Sequence, residues 1–187
     1  MSLVPKDYIK KNSIMESPIS CPPGYYRCLF GTTEQREGWQ NFLPIHQPYW
    51  DVEISNNSIV EAEIGPVICR LPRIDQFMVS LYKLMVPNGI LRINAPHYRS
   101  DAFASDIRNL LPICEDSFRY FWQPWCDRNG IQPYTTECDW APVSCVYTYF
   151  PEYETKSEAA QIWCRQHEWN VVKSLTLTLR AEERGLR

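Results

Sequence analysis

No run in this 187-residue sequence approaches the roughly 20 consecutive apolar residues of a membrane-spanning helix. The first twenty residues mix Lys6, Lys10, Lys11, Asp7 and Glu16 with isolated apolar residues, so they form neither a signal-peptide core nor a transit helix. These absences predict a cytoplasmic protein without a membrane partner. Clustered basic charge is missing too. The net charge is −3 and the Lys and Arg residues are scattered, which leaves no stripe for a phosphate backbone and argues against direct binding of duplex nucleic acid. There is no C-x-x-C pair, no internal repeat and no low-complexity tract. The eight cysteines (Cys21, Cys28, Cys69, Cys114, Cys126, Cys138, Cys145, Cys164) sit in a long chain without an export signal, which favours buried free thiols over a disulfide framework. A zinc site drawing on Cys126, Cys138, Cys145 and the Cys164-x-x-His167 pair is the sharper alternative, though it lacks a closely spaced hook.

What is present points to one globular domain. A length of 187 residues suits a single core, and 7 Trp with 11 Tyr supply more aromatic surface than packing alone demands, some of it available to line a pocket. Residues 1–24 are polar and punctuated by Pro5, Pro18, Pro22 and Pro23, so an N-terminal arm is expected ahead of a domain over 25–187. Tyr26 to Phe30 reads as a short buried strand ending at Gly31, followed by a polar turn through Arg36-Glu37-Gly38. Ile74, Phe77, Met78, Leu81, Leu84 and Met85 recur at helical spacing and predict a helix over Ile74–Met85 that faces a core. Val86-Pro87-Asn88-Gly89 ends it, because Pro cannot continue the ladder and Asn-Gly accepts left-handed geometry. Ile90 to Ala95 then reads as a buried strand stopped by Pro96. Thr155-Lys156-Ser157-Glu158 has capping-box form and predicts a helix to about Trp169. Strict alternation makes Ser174 to Arg180 a strand. Strand, helix and strand in succession argue for an α/β layered sheet.

The series helix, Pro-Asn-Gly turn, strand, then Pro96-His97-Tyr98 resembles the helix, L-x-P-G-G-x-L turn, strand and P-H segment of class I S-adenosylmethionine-dependent methyltransferases. Ser100-Asp101-Ala102-Phe103-Ala104-Ser105-Asp106 and Ser117-Phe118-Arg119-Tyr120-Phe121 are similar to the S-x-x-A-x-x-D and S-F-x-Y-F stretches of a small bacterial and phage subgroup. Arg36-Glu37-Gly38-Trp39-Gln40-Asn41-Phe42-Leu43 resembles its R-x-G-W-x-N-x-D stretch, and Asn170-Val171-Val172 its last strand. The resemblance covers most of residues 27–180 and is dense from about Ser58 to Phe121. It implies a Rossmann-like class I methyltransferase sheet with helices on both faces, S-adenosylmethionine as cofactor, and a small-molecule or macromolecular methyl acceptor that the sequence does not identify.

Carried over by position, the resemblance places the cofactor against Phe30, Gly31, Thr32, Leu43, Asp51, Ile64 and Gly65, the substrate against Tyr98, Trp122 and Trp125, and makes His97 the candidate catalytic residue. The cofactor motifs are degenerate. Phe30-Gly31-Thr32-Thr33 keeps at most one glycine of the G-x-G pair that lets backbone approach the ligand, and Leu43 stands where an acid accepts the ribose hydroxyls. Pro66-Val67-Ile68-Cys69-Arg70-Leu71 stands where H-V-L-E-H-L is usual, and Asp106-Ile107-Arg108-Asn109 where D-P-T-H is. Weak cofactor binding is therefore expected, with Leu43→Asp tightening it.

Each candidate has a plainer reading. His97 follows a strand end, where ligands of open sheets bind, and suits substrate positioning or proton removal; the alternative is a hydrogen-bonded structural histidine. Trp122, Trp125 and Trp140 flank a Pro-rich insertion from Gln123 to Pro142 and either wall a planar or cationic ligand or pack beneath a long loop. Asp51 and Glu53 suit an adenine amino group or simply an exposed loop. At the level of the whole chain, the rivals to a methyltransferase-like enzyme are a non-catalytic binding or scaffold module on the same fold and a thiol- or zinc-dependent structural protein.

Overall fold

The computed structural model describes residues 24–31, 35–42 and 55–183. Apart from Gly24, the expected N-terminal arm lies outside them. Six strands form one sheet: β1 (Tyr26–Phe30), β2 (Gln40–Phe42), β3 (Ile59–Ile64), β4 (Met85–Pro96), β5 (Trp140–Tyr149) and β6 (Val172–Ala181), in the order β2-β1-β3-β4-β6-β5. The first four are parallel to their neighbours, and β6 and β5 complete the sheet in antiparallel sense. Among the described residues five α-helices accompany them: α1 (Ile74–Leu84), α2 (Asp101–Ala104), α3 (Gln123–Asn129), α4 (Pro151–Glu154) and α5 (Glu158–His167). Among the described residues no helix is long and apolar enough to cross a membrane.

The stripe at Phe77, Met78, Leu81 and Leu84 is buried, as its spacing requires. The helix stops one residue earlier than predicted. Met85 is already extended (φ −72°, ψ 144°) and pairs with Ile59, and Pro87, which disfavours helical geometry at Val86, keeps the helix from running on. The Pro-Asn-Gly turn consequently sits inside β4: Ile59 pairs with Met85 but Glu61 already pairs with Ile90, so residues 86–89 bulge out of the ladder. Asn88 takes the left-handed conformation (φ 64°). Gly89 is fixed by space instead, since a Cβ there would lie 2.9 Å from the Val86 carbonyl oxygen and 3.2 Å from that of Ile59.

The predicted strands at 26–30, 90–95 and 174–180 are all present, the last two extended to Met85–Pro96 and Val172–Ala181. The insertion from Gln123 to Pro142 is not a long loop. It opens with α3 and closes on the first residues of β5, an edge strand on which Pro142 is tolerated because its missing N–H falls at a register shift. The predicted cap of the last helix moves as well: Ser157, not Thr155, accepts the Ala160 N–H at 3.4 Å, and α5 ends at His167.

Register fixes two unlike faces. Cys28, Phe30, Ala62, Ile64, Leu91, Ile93, Ala95, Leu175, Leu177 and Leu179 form one continuous core with α1, Ile113, Phe118, Phe121 and Trp140. On the other face, Arg27 pairs with Glu61 across β1 and β3, and Glu63 pairs with Arg92 across β3 and β4. Glu61, only 7% exposed, forms ion pairs with Arg27 (3.3 Å) and Arg92, while Arg36 meets Glu63 at 2.9 Å. α2 flanks this polar face at its carboxyl end, where Ala102 shares a cleft with Asn94 and Ser174.

Candidate functional site

In the parallel part of the sheet the chain runs from β1 outward to β2 and then back across to β3 and β4, so the strand order reverses between β1 and β3. In open α/β sheets ligands bind outside the carboxyl ends of the strands at such a switch point. Phe30 and Ile64, the last residues of β1 and β3, pair with each other, and the Gly65 N–H reaches the Phe30 carbonyl at 3.4 Å. Gly31 follows with φ +68°, a left-handed turn that carries the chain off the strand without a Cβ penalty. A Cβ built on Gly65 meets nothing within 4 Å, so the space there is open. Four of the residues assigned to the cofactor thus converge: Phe30, Gly31, Ile64 and Gly65. The Phe30 and Ile64 side chains are wholly buried, so both offer the crevice backbone only. Thr32, Leu43 and Asp51 lie outside the described residues.

Only residues 31–39 join β1 to β2. That is shorter than the dozen or so residues of a usual helical crossover between parallel strands. The connection's described residues carry the turn closed by the Trp39 N–H on the Arg36 carbonyl (3.0 Å), with Gly38 at φ 77°. The Arg36 guanidinium lies 4.8 Å from the Trp39 ring centre.

His97 directly follows β4 and is 4% exposed. Its backbone N–H bonds the Lys173 carbonyl at 3.2 Å, and Ser100 Oγ donates to the His97 carbonyl at 2.7 Å. Next along, Asp101 holds Asn170 and Trp169, and Arg99 Nη1 caps the end of α5 through the Arg165 and Gln166 carbonyls at 3.3 and 2.8 Å. The segment is therefore pinned to the start of β6. Nδ1 of His97 accepts the Arg99 backbone N–H at 3.3 Å, which leaves the ring proton of the neutral form on Nε2. Burial lowers the imidazole pKa below its ordinary value, opposed by the Glu115 charge and reinforced by Arg165 and Arg99. Burial and the bond at Nδ1 both favour the neutral ring, whose free lone pair is engaged. Tyr98 packs on it at 4.8 Å between ring centres, beneath Arg99 at 5.4 Å, and burial raises its phenol pKa.

The structure does not bring Trp122 and Trp125 to this end of the sheet. Gln123, the first residue of α3, donates its N–H to Asp139 at 3.0 Å, beside Trp140, which pairs with Ala181. Ala181 and the Lys173 that holds His97 lie at opposite ends of β6. Trp122 carries the Arg128 guanidinium at 5.1 Å, and Trp125 packs edge-on against Tyr120 with Arg119 at 5.9 Å. Trp140 is wholly buried, its Nε1 donating to the Met78 carbonyl at 3.2 Å. Seven cysteines are described, and none of them is in a disulfide. Among the described residues no three His, Cys, Asp or Glu side chains converge as metal ligands.

The departures at Arg70 and at Asp106 to Asn109 do meet. Arg70 Nη2 reaches Asp106 Oδ2 at 2.7 Å, on the rim of a cleft of about 230 Å³ at the carboxyl end of β4. Asn94, Lys173 and Ser174 also line this cleft, and the sequence reading did not single them out. The one available signal was Asn94, an uncharged polar residue near the end of a strand whose alternate positions Leu91, Ile93 and Ala95 are apolar.

No protein-family model and no curated protein matches this chain. Solved structures similar to it include an arsenic(III) S-adenosylmethionine methyltransferase from Chlamydomonas reinhardtii, at 10% identity over 70% of this chain and 40% of that one, with a TM-score of 0.36. Others are a putative S-adenosylmethionine-dependent methyltransferase from Listeria monocytogenes (10% identity, 71% and 66% covered, TM-score 0.40) and one from Mesorhizobium loti (11% identity, 84% and 80% covered, TM-score 0.39). The chain spans less than two thirds of the length of the first two. By its own strand order and register, this chain is an α/β protein built on a Rossmann-like, doubly wound sheet.

Proposed function

We propose that this chain is an S-adenosylmethionine-dependent methyltransferase-like protein that takes its cofactor in the crevice at the carboxyl ends of β1 and β3. The observation that carries this reading is the convergence of Phe30, Gly31, Ile64 and Gly65 at the switch point, where the ordered sequence resemblance independently puts the cofactor loop. The positive φ at Gly31 and the open space beside Gly65 fit a nucleoside-type ligand approaching backbone. Bound there, the cofactor supplies an electrophilic methyl group. The chain's own part is alignment, which methyl transfer between a sulfonium and a well-placed nucleophile needs more than it needs a base. A buried His97 whose Nδ1 is engaged accords with that division of labour.

The short β1–β2 connection and Leu43 favour a second reading on the same fold, a binding or scaffold module without catalysis. Calorimetric titration with S-adenosylhomocysteine separates the two. The first reading expects saturable binding in the high-micromolar range, on the order of −5.5 kcal/mol, tightened about tenfold by Leu43→Asp through charge-assisted bonds to the ribose hydroxyls. Absence of saturable binding in the wild type and in Leu43→Asp alike selects the second.

A further inference from the structure

The cleft between the carboxyl end of β4 and the start of β6 is lined by Pro66, next in sequence to Gly65, but by none of the four crevice residues Phe30, Gly31, Ile64 and Gly65. We propose that this cleft binds a small oxyanion, a phosphate or carboxylate group, through Arg70, Lys173, Asn94 and Ser174.

Counting charge leads there. Asp106 receives Arg70 Nη2 at 2.7 Å and is also held by Arg108, whose Nε and Nη2 reach its two oxygens at 2.9 Å each and whose backbone N–H adds a bond at 3.0 Å. One carboxylate thus faces two guanidiniums, which leaves a positive charge in excess. Lys173, exposed at the rim and without an ion-pair partner among the described residues, adds a second. Asp106 does not oppose an incoming anion on balance, because its own charge is fully engaged; Arg108 above all holds its carboxyl well below the usual carboxylate range.

Counting hydrogen bonds points the same way. Arg70 Nε is shut off from solvent and meets no acceptor, so Asp106 does not exhaust the hydrogen-bonding capacity of this guanidinium. Pro96 pairs with Ser174 and Asn94 with Thr176, which sets the Asn94 and Ser174 side chains on the polar face of adjacent strands. Neither side chain makes a hydrogen bond to another described residue. At about 230 Å³ the space falls below the roughly 300–1,000 Å³ of clefts that enclose a drug-sized ligand, so it suits an anionic head group and not a whole nucleoside. It also lies where ligands of open α/β sheets bind, beyond the carboxyl ends of parallel strands.

The full chain, titrated with inorganic phosphate and separately with acetate at constant ionic strength, tests the proposal by NMR chemical-shift change. Saturable binding of at least one is expected, weakened about tenfold by Arg70→Gln and by Lys173→Gln, and the stronger of the two anions identifies the group. Lys173 is exposed, and Arg70→Gln leaves Asp106 paired with Arg108, so both variants should fold; thermal melts check this. No saturable binding of either anion, or wild-type affinity in both folded variants, overturns the proposal. S-adenosylhomocysteine titrated into the same variants should bind as it does to wild type. A parallel loss there would merge the cleft with the cofactor crevice and sink the claim of a separate site, whereas anion binding without S-adenosylhomocysteine binding would leave the cleft standing and remove the methyltransferase reading.

Discussion

One face of the sheet is held by Phe30, Ile64, Leu91, Ile93, Leu175, Leu177 and Leu179 against α1, and the other by Arg27, Glu61, Arg92, Glu63 and Arg36 in ion pairs. Parallel strands are usually covered on both faces and read as continuous apolar runs. β3 instead reads Ile-Val-Glu-Ala-Glu-Ile, with apolar Ala62 and Ile64 alternating with Glu61 and Glu63. The length of the chain between the strands accounts for the difference on one side: α1 lies between β3 and β4 and supplies an apolar stripe, whereas residues 31–39, between β1 and β2, leave no room for a comparable helix. On that face, among the described residues, opposed charges in register satisfy one another, with the buried Leu29 beside Glu63.

The largest test of this contrast is a pair of truncations. Phe77→Ala removes a side chain buried under the apolar face and should cost about 3–5 kcal/mol in urea unfolding. Thr178→Ala, half-buried on the polar face of β6, should change stability by no more than about 0.5 kcal/mol. Equal losses would mean that the two faces are packed alike.

A smaller effect sharpens the charged side. Glu61→Gln keeps the shape but leaves Arg27 and Arg92 facing each other, and Arg92 already has its pKa lowered by burial and by the neighbouring arginines Arg36 and Arg27. Breaking a fully buried pair costs roughly 3–5 kcal/mol; with the Arg92 side chain 32% exposed, screening should reduce this to about 2 kcal/mol. The triple variant Arg27→Met, Glu61→Leu, Arg92→Met should recover most of that loss, because apolar replacement of a buried ion network is often neutral. A triple variant less stable than Glu61→Gln would show that the face needs its charges for more than mutual neutralisation.

These faces also explain how much was legible in the sequence. The helix over 74–84 and the strands over 26–30, 90–95 and 174–180 announce themselves because each meets a single apolar partner surface, and that writes a period into the residues. β5 was hidden: its partly buried Cys145, Tyr147 and Tyr149 alternate with exposed Val143 and Val146, so apolar residues fall on both sides of the strand. In the candidate site, Phe30, Gly31, Ile64 and Gly65 were legible because strand ends and glycine carry local signals. Lys173 and Ser174 were not, since they reach Arg70 only through the antiparallel pairing of β6 with β4, across about a hundred residues of chain. The placement of Trp122 and Trp125 depends on the tertiary path in the same way. Sequence order set them after His97, but the chain between carries them to the far end of β6.

The smallest expected effect concerns His97, at the seam between the two faces. The groups around it are Tyr98 and Arg99 on its own segment, Glu115 on the following one and Arg165 on α5, and burial dominates them in lowering its pKa. The folded protein therefore takes up its imidazole proton at a lower pH than the unfolded chain does, near the ordinary value of about 6.5. Between those two values the unfolded state binds more protons, so stability rises with pH there. Read downward, stability is lost as pH falls through about 6.5, and this contribution levels off once the pH passes below the folded value. His97→Asn offers Oδ1 in place of Nδ1 to the Arg99 N–H and cannot titrate, so the variant should lose that slope while keeping the bond. Urea unfolding of both proteins from about pH 5 to 7.5 measures it as the difference between two curves, in which the carboxylates common to both cancel. The wild-type curve should fall more steeply on acidification. Parallel curves would mean that the ring is solvated in the native state and can exchange protons freely, and His97 would then regain its standing as a base at the end of β4.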